Sequence, residues 1–408
     1  MLKIKRAMFE RIRSVYFDKT FIFIAILLYS LIMVYLFKIP YATLVLFIFY
    51  NIVLIILPGV AILILLEFRT SWFMMLCLSY AVGYAVNIGE YFLSEIFDRE
   101  LSATCLSLSV GLVSLIIIIL KVVLFKENIV KNSEEDSSLV FQELFLILFL
   151  FVNVFAYSAN YLGTDVNGIA DIPRDMQYWC NNSVSLMIKF PADTLFMQGK
   201  LLSYHYFSSI QIAFFSIVSG IDIFTLSFPF FSLTKTFILV GAVVFMMNIL
   251  CADDKWKIIG MILVLCTTGL EDVVCVTFLP HTLLMPFGFD IGFAYGCYFI
   301  SLMVKQWKIK KFNFTLWFLI CLFWSVCVGA KAPIASILLL IPGLFCLFWL
   351  IKREWRLSLG YGIPILGLFL IINIACTGMI SVFQGTGSWT LDLYTIQDIK
   401  TLGGGGMK

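Results

Sequence analysis

Most of the side chains that could do chemistry lie in one polar stretch, residues 161–220, of an otherwise apolar chain. Asp171, Arg174 and Asp175 lie close together in it. A carboxylate can take the proton from a hydroxyl group, and a guanidinium can bind a phosphate through parallel hydrogen bonds. We therefore take Asp175, with Asp171 beside it, as the candidate catalytic acids, and Arg174 as a candidate substrate-binding residue.

An aromatic run follows in the same stretch and contains Tyr204, His205 and Tyr206. The run continues to Gly220 and predicts a helix. Rings at this place could stack on the faces of a sugar, although aromatic residues at a membrane interface are more often anchors. Both interpretations stay open, and these three residues are candidate substrate-binding residues.

Two lysines outside the stretch could hold a phosphate. Lys235 is a lone cation within a predicted membrane span, where it needs a charged partner or a phosphate unless its long stem lets it reach the interface. Lys331 lies in the short turn 329–333 (Gly-Ala-Lys-Ala-Pro), either as an interfacial anchor or as a phosphate ligand. Glu90 is an acid within another predicted span, and it is functional unless it lies near enough to the outer end to reach the headgroups.

A second polar segment, 268–290, carries Glu271, Asp272 and His281. Glu271 and Asp272 are candidate substrate-binding residues because the topology below brings them to the same side as the first stretch. Two histidines and several carboxylates could together bind a divalent cation, but their spacing matches no ligand motif such as HExxH. We assign no metal ligands, and the cofactor is unknown.

The composition sets the class of protein. Hydrophobic residues make up 62% of the chain, charged residues 13%, and the mean hydropathy is +1.01. A soluble globule needs more polar surface than this, so we predict a polytopic membrane protein. The small net charge of +3 gives no indication of a nucleic-acid partner.

Apolar runs predict an all-α transmembrane helical bundle of about eleven spans, at about 20 residues for each crossing. Pro58, Gly59, Gly83 and Gly89 should loosen the helices that carry them. The predicted spans are 21–37, 41–66, 72–97, 101–124, 140–157, 223–250, 258–270, 291–304, 314–328, 333–351 and 359–374.

Lysines and arginines cluster at every second connection, which predicts a cytoplasmic amino terminus, with the polar stretch on the outer side of the plasma membrane. This alternation holds only if the helix after Tyr206 does not cross. We expect that helix to be an interfacial element, either amphipathic or re-entrant.

The order of these features resembles the GT-C glycosyltransferases, integral membrane enzymes such as the protein O-mannosyltransferases and the aminoarabinose transferases of lipid A. The resemblance rests on 174–179 (RDMQYW) as the acidic motif of the first outer loop, on Pro191 and Gly199 before 203–207 (SYHYF), and on 329–333 (GAKAP). It covers roughly residues 140–374. It implies inverting transfer of a hexosyl or pentosyl group from a polyprenyl-phosphate carrier to an acceptor glycan, lipid or protein of the cell envelope.

On this interpretation the chain divides into amino-terminal helices (1–138), a GT-C-like core (139–377) with outer loop 158–222, and an outer tail (378–408). Two other classes stay open. A surface polysaccharide polymerase or ligase would usually place its large loop later in the chain. A transporter or flippase of lipid-linked sugars would favour paired internal repeats, and the sequence shows none.

Overall fold

The computed structural model describes residues 19–97, 99–124, 142–143, 146–148, 174–193, 202, 205–266 and 287–377. These residues form helices and no β-strand, so the prediction of an all-α protein is confirmed for the described part of the chain.

Fifteen α-helices are used below, and they are numbered in chain order. They are α1 (Lys19–Phe37), α2 (Tyr41–Tyr50), α3 (Leu57–Leu65), α4 (Trp72–Ser94), α5 (Arg99–Ile119), α6 (Arg174–Ile188), α7 (Phe207–Ser219), α8 (Ile223–Thr225), α9 (Phe231–Leu250), α10 (Asp254–Cys266), α11 (Phe287–Ile309), α12 (Phe314–Ala330), α13 (Ala332–Leu338), α14 (Leu340–Ile351) and α15 (Trp355–Thr377).

Six helical segments of the described part of the chain are long and apolar enough, by length and composition, to cross a membrane. Each overlaps one of the predicted spans, so candidate membrane-spanning helices occur at six of the predicted places. The predicted spans 21–37 and 314–328 coincide with shorter apolar helices, and 140–157 lies mainly outside the described residues. The predicted spans 258–270 and 291–304 overlap α10 and α11, which are not among the candidate membrane-spanning helices. The six segments are Tyr41–Leu65, Trp72–Ser94, Leu101–Val122, Leu233–Leu250, Ala332–Ile351 and Trp355–Cys376.

Helices α4, α9, α11 and α12 form the centre of the bundle, and α14 and α15 lie at its edge. The outward faces of these edge helices are strongly apolar. Leu344, Ile351 and Ile363 are 67%, 70% and 65% exposed. Water would not tolerate so continuous an apolar surface on a monomer, whereas lipid would.

The first two spanning segments approach unusually closely because of two glycines. A Cβ atom on Gly59 would lie 1.9 Å from the carbonyl oxygen of Ser79, and one on Gly83 would lie 1.8 Å from that of Ile55. These glycines let the two segments touch backbone to backbone. Pro58, which has no N–H to donate, follows directly after a π-helical turn, Asn51–Ile56, that keeps the segment helical.

Three of the basic connections, 67–69, 253–257 and 305–311, lie near one end of the bundle. Thr315 donates a hydrogen bond to the Leu66 carbonyl at 3.0 Å, and the Lys308 ammonium donates to that of Ile249 at 2.9 Å. The Lys305 ammonium lies 4.6 Å from the centre of the Phe68 ring. We call this the basic end, defined by residues 66–69, 249–257 and 305–315.

The opposite end is where α4, α6, α12 and α15 finish and where α7 and α11 begin. Tyr91 donates a hydrogen bond to the Leu186 carbonyl at 2.9 Å, which joins the ends of α4 and α6. Tyr206 donates to the Ala375 carbonyl at 3.1 Å, which joins the start of α7 to the end of α15. We call this the loop end.

Candidate functional site

At the loop end, α6 is pressed against α11 and α12 through Trp179. The indole is buried, and a Cβ atom added to Gly288 would lie 2.6 Å from its Cη2 atom and 2.8 Å from the carbonyl oxygen of Ala330. Trp179, the first turn of α11 and the last turn of α12 therefore meet with no room for an additional methyl group.

The acidic motif lies on this same helix. Arg174 and Asp175 form the first turn of α6, and position 175 precedes Trp179 by four residues, so the two positions share one face. Trp179, one turn after position 175, is the described residue of α6 that contacts the junction of α11 and α12. The side chains of Arg174 and Asp175 lie outside the described residues, as do Asp171, Tyr204, Glu271 and Asp272 altogether.

Lys331 lies between α12 and α13, where the sequence predicted a short turn. Pro333 has no N–H to donate to Gly329, so α12 cannot continue through it. The Lys331 backbone is nevertheless fixed: its N–H donates to the Cys327 carbonyl at 3.0 Å, and its carbonyl accepts from Ile334 at 3.1 Å. A Cβ atom added to Gly292 would lie 2.7 Å from the Lys331 Cβ, so Lys331 rests directly on α11.

His205 is electrostatically coupled to Lys331. Burial, and secondarily the positive charge of Lys331, lower the pKa of His205 from 6.5 to about 4. The imidazole is therefore neutral near pH 7 and offers one donor and one acceptor nitrogen. The structure thus brings two sequence-predicted site residues from distant parts of the chain into one electrostatic environment.

Tyr206 follows His205 and is buried, with its hydroxyl donating to Ala375. Burial raises its pKa well above the ordinary value. Its hydroxyl is committed to α15, so Tyr206 holds the start of α7 in place.

Helix α7 is buried on nearly all sides. All but two of its 13 residues are buried, although Ser208, Ser209 and Gln211 are polar. An amphipathic helix lying on a membrane keeps one face in water. The amphipathic alternative therefore does not fit α7, whereas a short re-entrant helix packed inside the bundle does.

Lys235 has a charged partner that the sequence did not reveal. Its ammonium lies 2.7 Å from the Asp290 carboxylate, and the two side chains are 1% and 5% exposed. Lys235 lies in α9 and Asp290 in the first turn of α11. The expected need for a partner is met by a carboxylate, so Lys235 neither snorkels nor stands open to a phosphate.

Glu90 is also buried, at 3% exposure. Its Oε2 atom accepts hydrogen bonds from Ser107 at 3.2 Å and from Asn87 at 3.4 Å. Both donors are neutral, and the hydrogen bond from Ser107 joins α5 to α4. The hydroxyl of Ser107 was not singled out in the sequence, because serine is common in apolar helices.

No group of three or more histidine, cysteine, aspartate or glutamate side chains that could hold a metal occurs among the residues that the structure describes. His281 and the acids of segment 268–286 lie outside that part of the chain.

Comparison of the chain with protein-family models, curated proteins and solved structures finds no match. Its class therefore follows from its own features: the described residues form helices and no strand, and six of these helices are suited to crossing a membrane. Its candidate site is the loop end, where α6, Lys331 and His205 meet.

Proposed function

We propose that the protein is a membrane glycosyltransferase that moves a sugar from a polyprenyl-phosphate carrier to an acceptor on the outer face of the membrane. The observation that supports this most is the position of Lys331. It is a cation on a fixed helix break at the loop end, beside a neutral His205 and the helix that carries Asp175.

The chemistry assigns each residue a step. The acceptor oxygen forms a bond to the anomeric carbon from the face opposite the carrier, so the configuration inverts. The bond between that carbon and the phosphate oxygen breaks, and its electron pair stays on the phosphate. Asp175 takes the acceptor's hydroxyl proton, and Lys331 stabilises the negative charge that develops on the phosphate.

The surroundings of Lys331 suit that role. A charge stabilises a transition state best when its position is fixed beforehand and water is scarce. The Lys331 backbone is held by hydrogen bonds to its own and the next helix, and Gly292 packs against its Cβ. Arg174, in the first turn of α6, is a second cation for the phosphate.

The proposal includes a topology. The basic end lies in the cytoplasm and the loop end on the outer side, with α7 as a re-entrant helix and about eleven crossings in all. A carrier embedded in the outer leaflet would then place its phosphate at the level of Lys331, because a long lysine side chain reaches the headgroup layer.

The test measures release of polyprenyl phosphate, the product common to every sugar. The full chain in lipid nanodiscs is incubated with decaprenyl-phosphate mannose, glucose or aminoarabinose and with an envelope extract as the acceptor. Asp175→Asn should lower the rate by about 100- to 10,000-fold because a general base is lost.

Asp193→Asn is the matched control. Asp193 is a loop-end acid whose carboxylate lies 2.5 Å from the Lys189 ammonium, and its loss should leave release unchanged. Equal rates for Asp175→Asn and the parent would contradict the proposed base. Movement of intact donor across the membrane without release would indicate the transporter alternative instead.

A further inference from the structure

We infer that the buried Lys235–Asp290 ion pair positions the site: it fixes the first turn of α11 and, through that turn, the locations of Lys331 and Trp179. We call residues 288–292 the ledge. The role of Lys331 in catalysis rests on the proposed function. The effect of the ion pair on the positions of Lys331 and Trp179 rests only on the contacts of residues 288–292.

The ledge is in close contact with both Trp179 and Lys331. Gly288 faces Trp179 and the Ala330 carbonyl, and Gly292 faces the Cβ of Lys331, each so closely that a methyl group would overlap its neighbour. Asp290 lies between these two glycines on the same turn. A rotation or shift of this turn would therefore displace Trp179, Lys331 or both.

Lys235, the other partner of the ion pair, lies on a helix that is packed firmly in the bundle. Lys235 belongs to α9, which packs on α4 through stacked rings of Phe237 and Tyr80 with centres 5.0 Å apart. Tyr295 of α11 donates a hydrogen bond to the Ala81 carbonyl of α4 at 2.5 Å. The ion pair thus joins the ledge to the centre of the bundle near its loop end.

Stability alone does not account for a pair of charges at this place. Removing two charges from water is costly, and apolar residues of similar size often stabilise a protein as well as a buried ion pair or better. An ion contact is directional, however, whereas apolar contacts tolerate sliding. A pair at 2.7 Å specifies one rotation of the ledge, which a preorganised charge at Lys331 requires.

The experiment reads the position of Lys331 without any sugar donor. The full chain in nanodiscs is treated briefly with a small amine-acetylating reagent, and the modification rate of each lysine is followed by mass spectrometry. The main variant is Lys235→Met with Asp290→Leu, which removes both charges and keeps the packing. Asp290→Glu keeps the ion pair, and Lys189 and Lys257 serve as internal controls.

The double variant should have a melting temperature close to that of the parent. Its Lys331 should be acetylated about twofold faster or more, because twofold is the lower limit expected for coupling between neighbouring sites. In Asp290→Glu the acetylation rate of Lys331 should stay near that of the parent, and the rates of the two control lysines should not change in any variant. If Lys331 reacts at the parental rate in a folded double variant, or if all lysines accelerate together, the inference is overturned.

A second readout separates this inference from the proposed function. If the protein transfers sugar, the double variant should also raise the KM for the carrier. If no transfer is found but Lys331 still responds selectively, the positioning role stands and the proposed function fails.

Discussion

The positive charge of Lys331 acts on the imidazole of His205, although 126 positions of sequence separate the two residues. The two are neighbours because the break after α12 and the start of α7 meet at the loop end, where Gly329 packs on the ring of Phe207. An acid-base group and a candidate phosphate ligand are thereby coupled.

The first prediction concerns this coupling. Lys331→Gln should raise the pKa of His205 from about 4 toward its ordinary value of 6.5, because a nearby positive charge is removed while burial remains. Lys331→Arg should leave it low. The chain has two histidines, so imidazole NMR with His281→Gln isolates the signal of His205. An unchanged titration in Lys331→Gln would contradict the coupling.

The second prediction is a pH dependence of stability. The pKa of His205 is about 4 in the folded protein and near 6.5 when unfolded, so between these values the unfolded state binds more protons. The contribution of neutral His205 is fully present above pH 6.5 and is lost as the pH falls to 4. His205→Gln should therefore melt with a weaker dependence on pH across this window. An identical dependence in variant and parent would contradict the burial of a neutral imidazole.

The third prediction compares two glycines. A Cβ atom on Gly329 would lie 2.3 Å from Phe207, so Gly329→Ala should cost about 1–3 kcal/mol of unfolding free energy through overpacking. Gly343 has open space around it, and Gly343→Ala should gain up to about 1 kcal/mol through helix propensity. Thermal unfolding in one detergent measures both. A Gly329→Ala variant as stable as Gly343→Ala would mean that α7 and α12 do not touch there.

Hydropathy was sufficient to locate the six helices that are long and apolar enough to span a membrane, since a long apolar run has few alternatives to spanning a bilayer. The break at Lys331 followed from Pro333, a local effect that the sequence contains in full. The burial of α7 carried a weaker signal, namely the absence of any charged residue from 207 to 219. One of its buried serines, Ser216, bonds to nearby backbone and donates to the Ile221 carbonyl at 2.7 Å.

The partner of Lys235 could not be predicted in the same way. Asp290 closes a polar segment and was grouped with the acids before it, whereas the structure places it in the first turn of α11. Which acid meets a lone lysine depends on how two distant helices pack. The same holds for Glu90 and Ser107, which share no local motif.

The fourth prediction is topological. Asp165→Cys should react with a membrane-impermeant maleimide on intact cells, whereas Lys308→Cys should react only after the membrane is opened. The reason is the distribution of lysines and arginines, which places the basic end inside. The parental chain gives the background from its own cysteines. Labelling of position 308 and not of position 165 on intact cells would reverse the orientation.

The most direct test of the account is the rate of polyprenyl phosphate release at increasing carrier concentration for the parent, Lys331→Arg and Lys331→Gln. Lys257→Gln, at the basic end, is the matched control. Lys331→Gln should raise the KM for the carrier and lower kcat/KM by about 100-fold or more, because the charge on the departing phosphate loses its stabilisation. Lys331→Arg should have a KM and a kcat/KM between those of the parent and Lys331→Gln, since the positive charge is kept while its geometry changes. Release by Lys331→Gln at the parental rate and the parental KM would contradict the account.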